Sequence, residues 1–203
     1  MLDKVKSVLY SKKCKKDCKT KYLEIYKGCE IDNNKILLEP GQGKNLNGNM
    51  FAFVREIMTN NKWKHLNIDF VVTKSNINDA KSRFELYGFN GVNFVIRNSD
   101  EYIKSLAKSK YLINDNSFPI YFIKKEEQIY LNTWHGTPLK YLGRSDLKNA
   151  TSIGNIQKNF LSANYILFPN EFTRDVFMND YMLENIGNNK VLLCDYPRNE
   201  AFS

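Results

Sequence analysis

From about residue 33 to its end the chain alternates two hydrophobic patterns: short continuous apolar runs, and segments whose apolar residues recur every three or four positions. "KILLEPG" predicts a strand running into a glycine-containing loop. "GNMFAFVREIMTNN" then predicts a helix with Phe51, Val54, Ile57 and Met58 on one face and Asn49 as its N-cap. "NIDFVVTK" is a second strand and "NINDAKSRFELYG" a second helix, closed by Gly88 as a C′ glycine. "VNFVIRN" is a third strand, followed by the helix "SDEYIKSLAKSK" with Ser99 as cap and Glu101 nearby. "YLIND" is a fourth strand, and "IYFIKK…QIYLNTW" reads as a hairpin or a strand with a return. The helix "SIGNIQKNFLSA", the strand "YILFP", the helix "NEFTRDVFMNDY" and the strand "KVLLCDYP" complete the pattern.

Repeated strand–helix–strand units with unbroken apolar strands predict a mainly parallel sheet covered on both faces. The expected class is therefore α/β, a Rossmann-like doubly wound domain, with ligands gathered at the C-terminal ends of its strands. Three stretches fall at that edge: "EPGQGKNLNGN", "NTWHGTPLKYLGR" and "DYPRNEAF". The first carries Gly41, Gly43 and Gly48, but not in the GxGxxG spacing of a dinucleotide site, so it is either a flexible loop or a ligand-facing one.

Composition changes the picture little. With 42% hydrophobic and 13% aromatic residues, 203 residues can bury a sizeable core. No stretch approaches the ~18 apolar residues of a membrane-spanning helix, and no secretory signal is expected. Charge changes it more. Of the net +8, residues 1–28 carry +6, from nine lysines against Asp3, Asp17 and Glu24. Leu2, Val5 and Leu9 lie at helical spacing beside this run, so residues 1–30 are expected to form a basic amphipathic arm before a domain at 31–203. Such an arm either adheres to an anionic membrane surface or is a solvated helix. Few aromatics accompany its lysines, and no nucleic-acid partner is expected. Cys14, Cys18, Cys29 and Cys194 lack metal-ligand spacing, so reduced thiols and no metal site are expected. No cofactor is expected either, although a divalent ion bound through phosphates would leave no signature in the sequence.

The chemistry centres on His135, one of two histidines. It follows the apolar run "IYLNTW" and precedes Gly136, Thr137 and Pro138, a placement that turns a side chain off the sheet top. Its ring can accept a proton near neutral pH. Gly136 and Thr137 offer amides, and Lys140 and Arg144 offer positive charge. Spacing alone leaves a structural histidine and a catalytic one equally open. His65, in a polar connection, reads as incidental.

Here the residues become recognisable. "YLINDNSFPIYFIKKEEQIYLNTWHGTPLKYLG" resembles the core of the CDP-glycerol glycerophosphotransferase family, the teichoic acid primases and polymerases. "VLLCDYPRNEAF", "YILFPNEFTRDVF" and "GNMFAFVREI" resemble its later and earlier segments, so the likeness runs over about 33–203. Cys194-Asp195 and Glu200 depart from the family's usual residues.

The resemblance implies the N-terminal, acceptor-side domain of a GT-B fold. Its function would be transfer of polyol phosphate from a CDP-polyol donor to a lipid-linked polyol-phosphate or glycan acceptor, in teichoic acid or capsule-type polymer synthesis. His135 would be the base. Asn132, Trp134, Gly136, Thr137, Pro138, Lys140, Arg144, Gly41, Gly43, Asn49 and Arg198 would bind substrate. The family's donor site lies mostly in a second domain that would follow Ser203, so this chain by itself is expected to be inactive, and a cytoplasmic, peripheral membrane location is implied. Other readings are half of a GT-B sugar transferase, or a non-catalytic module for anionic glycopolymer or lipid.

Overall fold

The computed structural model describes residues 18–184 and 190–202. Seven strands, β1 (Asp32–Glu39), β2 (Asn67–Val72), β3 (Asn93–Ile96), β4 (Ser109–Asn114), β5 (Ile129–Asn132), β6 (Tyr165–Phe168) and β7 (Lys190–Leu193), form one sheet in the order β3-β2-β1-β4-β5-β6-β7. Every pairing is parallel. The helices are α1 (18–28), α2 (Asn49–Thr59), α3 (Ile77–Leu86), α4 (Asp100–Lys108), α5 (Gly154–Ser162) and α6 (Glu171–Asp180). This is the expected α/β, Rossmann-like doubly wound architecture.

The unbroken apolar strands fit because both sheet faces are covered: Ile36, Leu37, Leu38 and Glu39 are buried in succession along β1. Crossovers between parallel strands are right-handed, so the direction in which the sheet grows decides which face a helix covers. α2 and α3 accompany growth from β1 to β3 and pack Met50, Val54, Ile57, Ala80 and Phe84 on one face, against Ile36, Leu38, Ile68 and Phe70. α4, α5 and α6 accompany growth the other way and pack the opposite face, with Tyr102, Leu106, Phe160 and Phe177 against Leu37, Leu112, Tyr130 and Ile166. Every helix after β4 lies on that opposite face. The α2 side of β4–β6 is therefore bare and opens into an apolar cavity of about 480 Å³, lined by Ile36, Phe53, Ile57, Trp63, Leu66, Tyr111, Ile113, Ile129, Leu131 and Tyr165.

Three expectations differ in detail. "IYFIKK" is not a strand and forms no hairpin: β5 begins only at Ile129 and runs parallel to β4. The buried Tyr121 and Phe122 pack in an irregular loop. There the fully buried Gln128 side chain donates to the Leu106 and Ser109 carbonyls, work that a ladder would otherwise do. Asn49 does not cap α2; the cap is Gly48, in a left-handed conformation with φ 77°. The basic segment is also more than an arm. In α1, Tyr22 is fully buried and donates to the Ile123 carbonyl at 2.7 Å, and Lys21 pairs with Asp100 at 2.9 Å. Residues 1–17, with Leu2, Val5, Leu9 and Cys14, lie outside the described residues. Cys29 and Cys194 are free thiols. Ser99 caps α4 by accepting from the Tyr102 amide, and Gly88 is left-handed at the end of α3, both as expected.

Candidate active site at the sheet switch point

Growth of the sheet reverses between β1 and β4, the place where an open α/β sheet leaves a crevice for ligand at its carboxyl edge. A polar pocket of about 420 Å³ lies there. It is lined by Gly41, Gln42, Lys44, Asn45, Asn47 and Gly48 after β1, Asp115 and Asn116 after β4, His135 after β5, and Arg198 after β7.

The loop after β1 takes its shape from glycine. Gly41, Gln42, Gly43 and Gly48 all have positive φ. At Gly43 (φ 82°) an added Cβ would stand 3.0 Å from the Val72 main chain, so the loop lies directly on the end of β2. Asn76 holds it there, donating to the Gly43 and Lys44 carbonyls at 3.0 and 3.2 Å. The loop delivers the chain to the start of α2, whose first amides have no side-chain cap. The positive end of that helix therefore borders the crevice.

His135 owes its position to a kink at Trp134, which has a left-handed φ of 50°, uncommon for a bulky residue and costing about 1–3 kcal/mol. Several contacts hold it. The Trp134 amide donates to Asn132 Oδ1 at 2.9 Å, and its carbonyl accepts from Thr133 Oγ1 and from Asn49 Nδ2. Its ring is buried against Phe177 and Phe160. The kink lifts His135 off the sheet onto the exposed crevice wall, where the imidazole stacks on the Trp134 indole with centroids 4.2 Å apart. His135 Nδ1 lies 2.7 Å from the main-chain carbonyl oxygen of Asp115. A carbonyl only accepts, so Nδ1 carries the proton in the neutral ring and Nε2 carries the lone pair.

The candidate residues divide into three groups. Gly41, Gly43, His135 and Arg198 converge on the crevice or its loop. Arg198 lies over the Tyr196 ring and donates to the His135 carbonyl at 3.0 Å. Asn49, Asn132 and Trp134 are buried and frame the site from beneath: Asn49 also reaches Thr133 Oγ1 at 3.2 Å, and Asn132 donates to Asn114 Oδ1 and the Asn116 carbonyl. Gly136 continues the turn. Pro138 and Lys140 line a different cavity, of about 870 Å³, shared with Leu139, Tyr141, Phe172 and Val176. Thr137 is exposed between the two cavities, and Arg144 donates to Asn179 Oδ1, away from the crevice.

The sequence reading missed Asp115, Asn116 and Lys44. An Asn-Asp-Asn run closing an apolar strand at this edge was the available signal. Burial raises the Asp115 carboxyl above its ordinary range, while the hydrogen bond from the Gly41 amide and the nearby His135 and Arg198 pull it back. Deeper, Glu39 is fully buried at the end of β1, accepting from Arg97 at 2.9 Å and from the Tyr102 hydroxyl at 2.5 Å. Burial raises its carboxyl too, against the pull of Arg97. Among the described residues no group of three His, Cys, Asp or Glu could hold a metal ion, and no helix is long and apolar enough to cross a membrane.

Known proteins give this geometry a context. The family model described as CDP-Glycerol:Poly(glycerophosphate) glycerophosphotransferase matches residues 22–203. The chain belongs to this family. A teichoic acid poly(glycerol phosphate) polymerase of Bacillus spizizenii is 27% identical over 173 residues, covering 81% of this chain and 41% of its own. One from Staphylococcus epidermidis is 31% identical over 115 residues, 53% of this chain and 15% of its own. Among solved structures, a histidine-to-asparagine variant of the wall teichoic acid polymerase TagF superposes with a TM-score of 0.74 at 21% identity, covering 99% of this chain and 47% of that one. The same variant soaked with CDPG gives a TM-score of 0.73. This glycerophosphotransferase-family chain thus spans less than half the length of the relatives it matches. The match also begins inside α1, consistent with the packing of that helix on the body.

Proposed function

We propose that the chain is the acceptor-presenting half of a CDP-glycerol (or related CDP-polyol) glycerophosphotransferase acting in teichoic acid synthesis. The observation that carries this reading is the position of His135. It stands at the switch-point crevice with Nδ1 committed to the Asp115 carbonyl, which leaves Nε2 to accept a proton.

In this account an acceptor hydroxyl enters the crevice and gives its proton to Nε2 as its oxygen attacks the glycerol-bearing phosphorus of the donor. The phosphoanhydride bond breaks, CMP leaves, and a phosphodiester joins glycerol phosphate to the acceptor. The cations and amides around the loop, Lys44, Arg198 and the start of α2, suit phosphates along the acceptor. The donor is held mostly by parts of the relatives that this chain does not span. A lipid-linked acceptor would place the enzyme on the inner face of the plasma membrane, with the lysines of residues 1–28 facing anionic lipid.

Calorimetry on the 203-residue chain tests the division of labour. A short glycerol phosphate oligomer should bind, weakening when Arg198 is replaced by Ala, whereas CDP-glycerol should show no micromolar affinity. Micromolar donor binding without acceptor binding would reverse the assignment. Binding of anionic polymer unaffected by Arg198→Ala would favour a module that recognises polymer without chemistry.

A further inference from the structure

Asp115 makes two contacts in opposite directions. Its main-chain carbonyl accepts from His135 Nδ1 at 2.7 Å, and its carboxylate accepts from the Gly41 amide at 2.6 Å. It is only 4% exposed and borders the crevice beside Arg198 and Lys44. One residue at the end of β4 thus joins the loop after β1 to the imidazole after β5. We propose that Asp115 is a positioning residue for His135: its carbonyl fixes the tautomer that leaves Nε2 unprotonated, and its carboxylate, clamped on the Gly41 amide, holds that carbonyl and the 41–48 loop as one unit.

Four observations support this. The tautomer is not one that imidazole must adopt; it is imposed by an acceptor at hydrogen-bond distance from Nδ1, and that acceptor belongs to the peptide joining Asp115 to Asn116. The peptide lies just past the last residue of β4, where ladder pairing has ended, so the carboxylate bond to Gly41 is a side-chain tie for it. Gly41 itself has φ 49° and begins a run of left-handed residues, so the bond also fixes the entry to the loop that forms one wall of the crevice. A buried carboxylate whose proton affinity is raised is unfavourable for folding, and its retention at a crevice suits a functional group better than a structural one. The charged groups facing it are Arg198 and Lys44, together with the ring of His135.

The inference deepens the reading of His135 as the base, but its test does not depend on that reading. The experiment is long-range ¹H–¹⁵N correlation on the ¹⁵N-labelled 203-residue chain at a pH where the histidines are neutral, with His65 as internal reference. Wild type should show His135 protonated on Nδ1 and bare on Nε2, with a slowly exchanging Gly41 amide. Asp115→Ala should shift His135 toward the Nε2-protonated form and speed Gly41 exchange at least tenfold. Asp115→Asn, which keeps an acceptor oxygen, should restore both. Asp115→Glu, which keeps the charge but displaces it by a methylene, should not; it also serves if the alanine variant fails to fold. Wild-type tautomer and exchange in both Asp115→Ala and Asp115→Glu would overturn the proposal. So would an Asp115→Asn variant as perturbed as the alanine. Loss of activity in His135→Ala bears on the base assignment alone, so the two claims can fail separately.

Discussion

Two concavities flank α2, and they are built to opposite rules. The groove on the bare half of the sheet is walled by aliphatic and aromatic side chains, with Glu56 and Glu200 at its lining. The crevice at the strand ends is smaller and polar, with Lys44, Arg198, Asp115 and His135 around a glycine loop. The groove exists because the helices that follow β4 all cover the opposite face, so Ile113 and Leu131 lack the cover that Leu38 and Phe70 receive from α2 and α3. The crevice exists because the sheet changes direction there. Apolar area makes the groove a place of packing energy; converging hydrogen-bond and charge chemistry makes the crevice the candidate site.

Substitutions can separate the two. The largest stability effect should come from the groove side: Ile113→Ala removes a side chain only 8% exposed and should cost about 2–4 kcal/mol, lowering Tm by on the order of 5–10 °C in a thermal melt. Affinity for glycerol phosphate oligomer should not change. A drop in affinity without a drop in Tm would erase the distinction.

Gly43→Ala should come next, because it strains a left-handed position and pushes a Cβ to 3.0 Å from the Val72 main chain. We expect about 1–3 kcal/mol of destabilisation together with weakened oligomer binding, measured by denaturant unfolding and calorimetry. It is the substitution that should damage the crevice through the backbone alone.

A smaller effect comes from the Asp115 carboxyl, which burial raises in the folded state. A raised carboxyl favours the folded state below its unfolded value, and that contribution is lost as pH rises through the folded value. At pH 7 the buried charge is therefore a cost, and Asp115→Asn should be more stable than wild type. The difference should close as pH falls toward 4. Melting curves at both pH values check the sign, and an Asn variant less stable at pH 7 would contradict it. Smallest of all, Lys44→Gln should leave stability within about 0.5 kcal/mol while reducing oligomer affinity a few-fold.

Much of the fold was legible because continuous apolar strands and 3.6-residue helices carry their own periodicity. Ser99 and Gly88 were legible because caps obey local rules. The irregular segment 120–128 was not: Tyr121 and Phe122 look like strand residues but are buried by contacts with distant α1 and α4. Asn49 misled for a related reason, since a residue suited to capping a helix was recruited to hold Thr133 and Trp134. At the site, His135 could be found from the run into "WHGTP", because a turn after a buried strand exposes the residues just beyond the strand. Asp115 was signalled only by the Asn-Asp-Asn run that closes its strand, since its contacts run through a main-chain carbonyl and a partner 74 residues away. Lys140 and Arg144 were attractive by nearness in sequence, yet the chain turns away after Gly136 and carries them past the crevice.

The central claim is that His135 takes the proton of the acceptor hydroxyl. The measurement that tests it most directly is CMP release from CDP-glycerol in a chain extended to the length of its relatives, comparing wild type with His135→Ala and with melting temperatures recorded alongside. The account predicts a loss of roughly 10²–10⁴-fold in rate with the melt unchanged, because the ring is exposed on the crevice wall and general-base catalysis is worth that much. CMP release at the wild-type rate from a folded His135→Ala enzyme would contradict it.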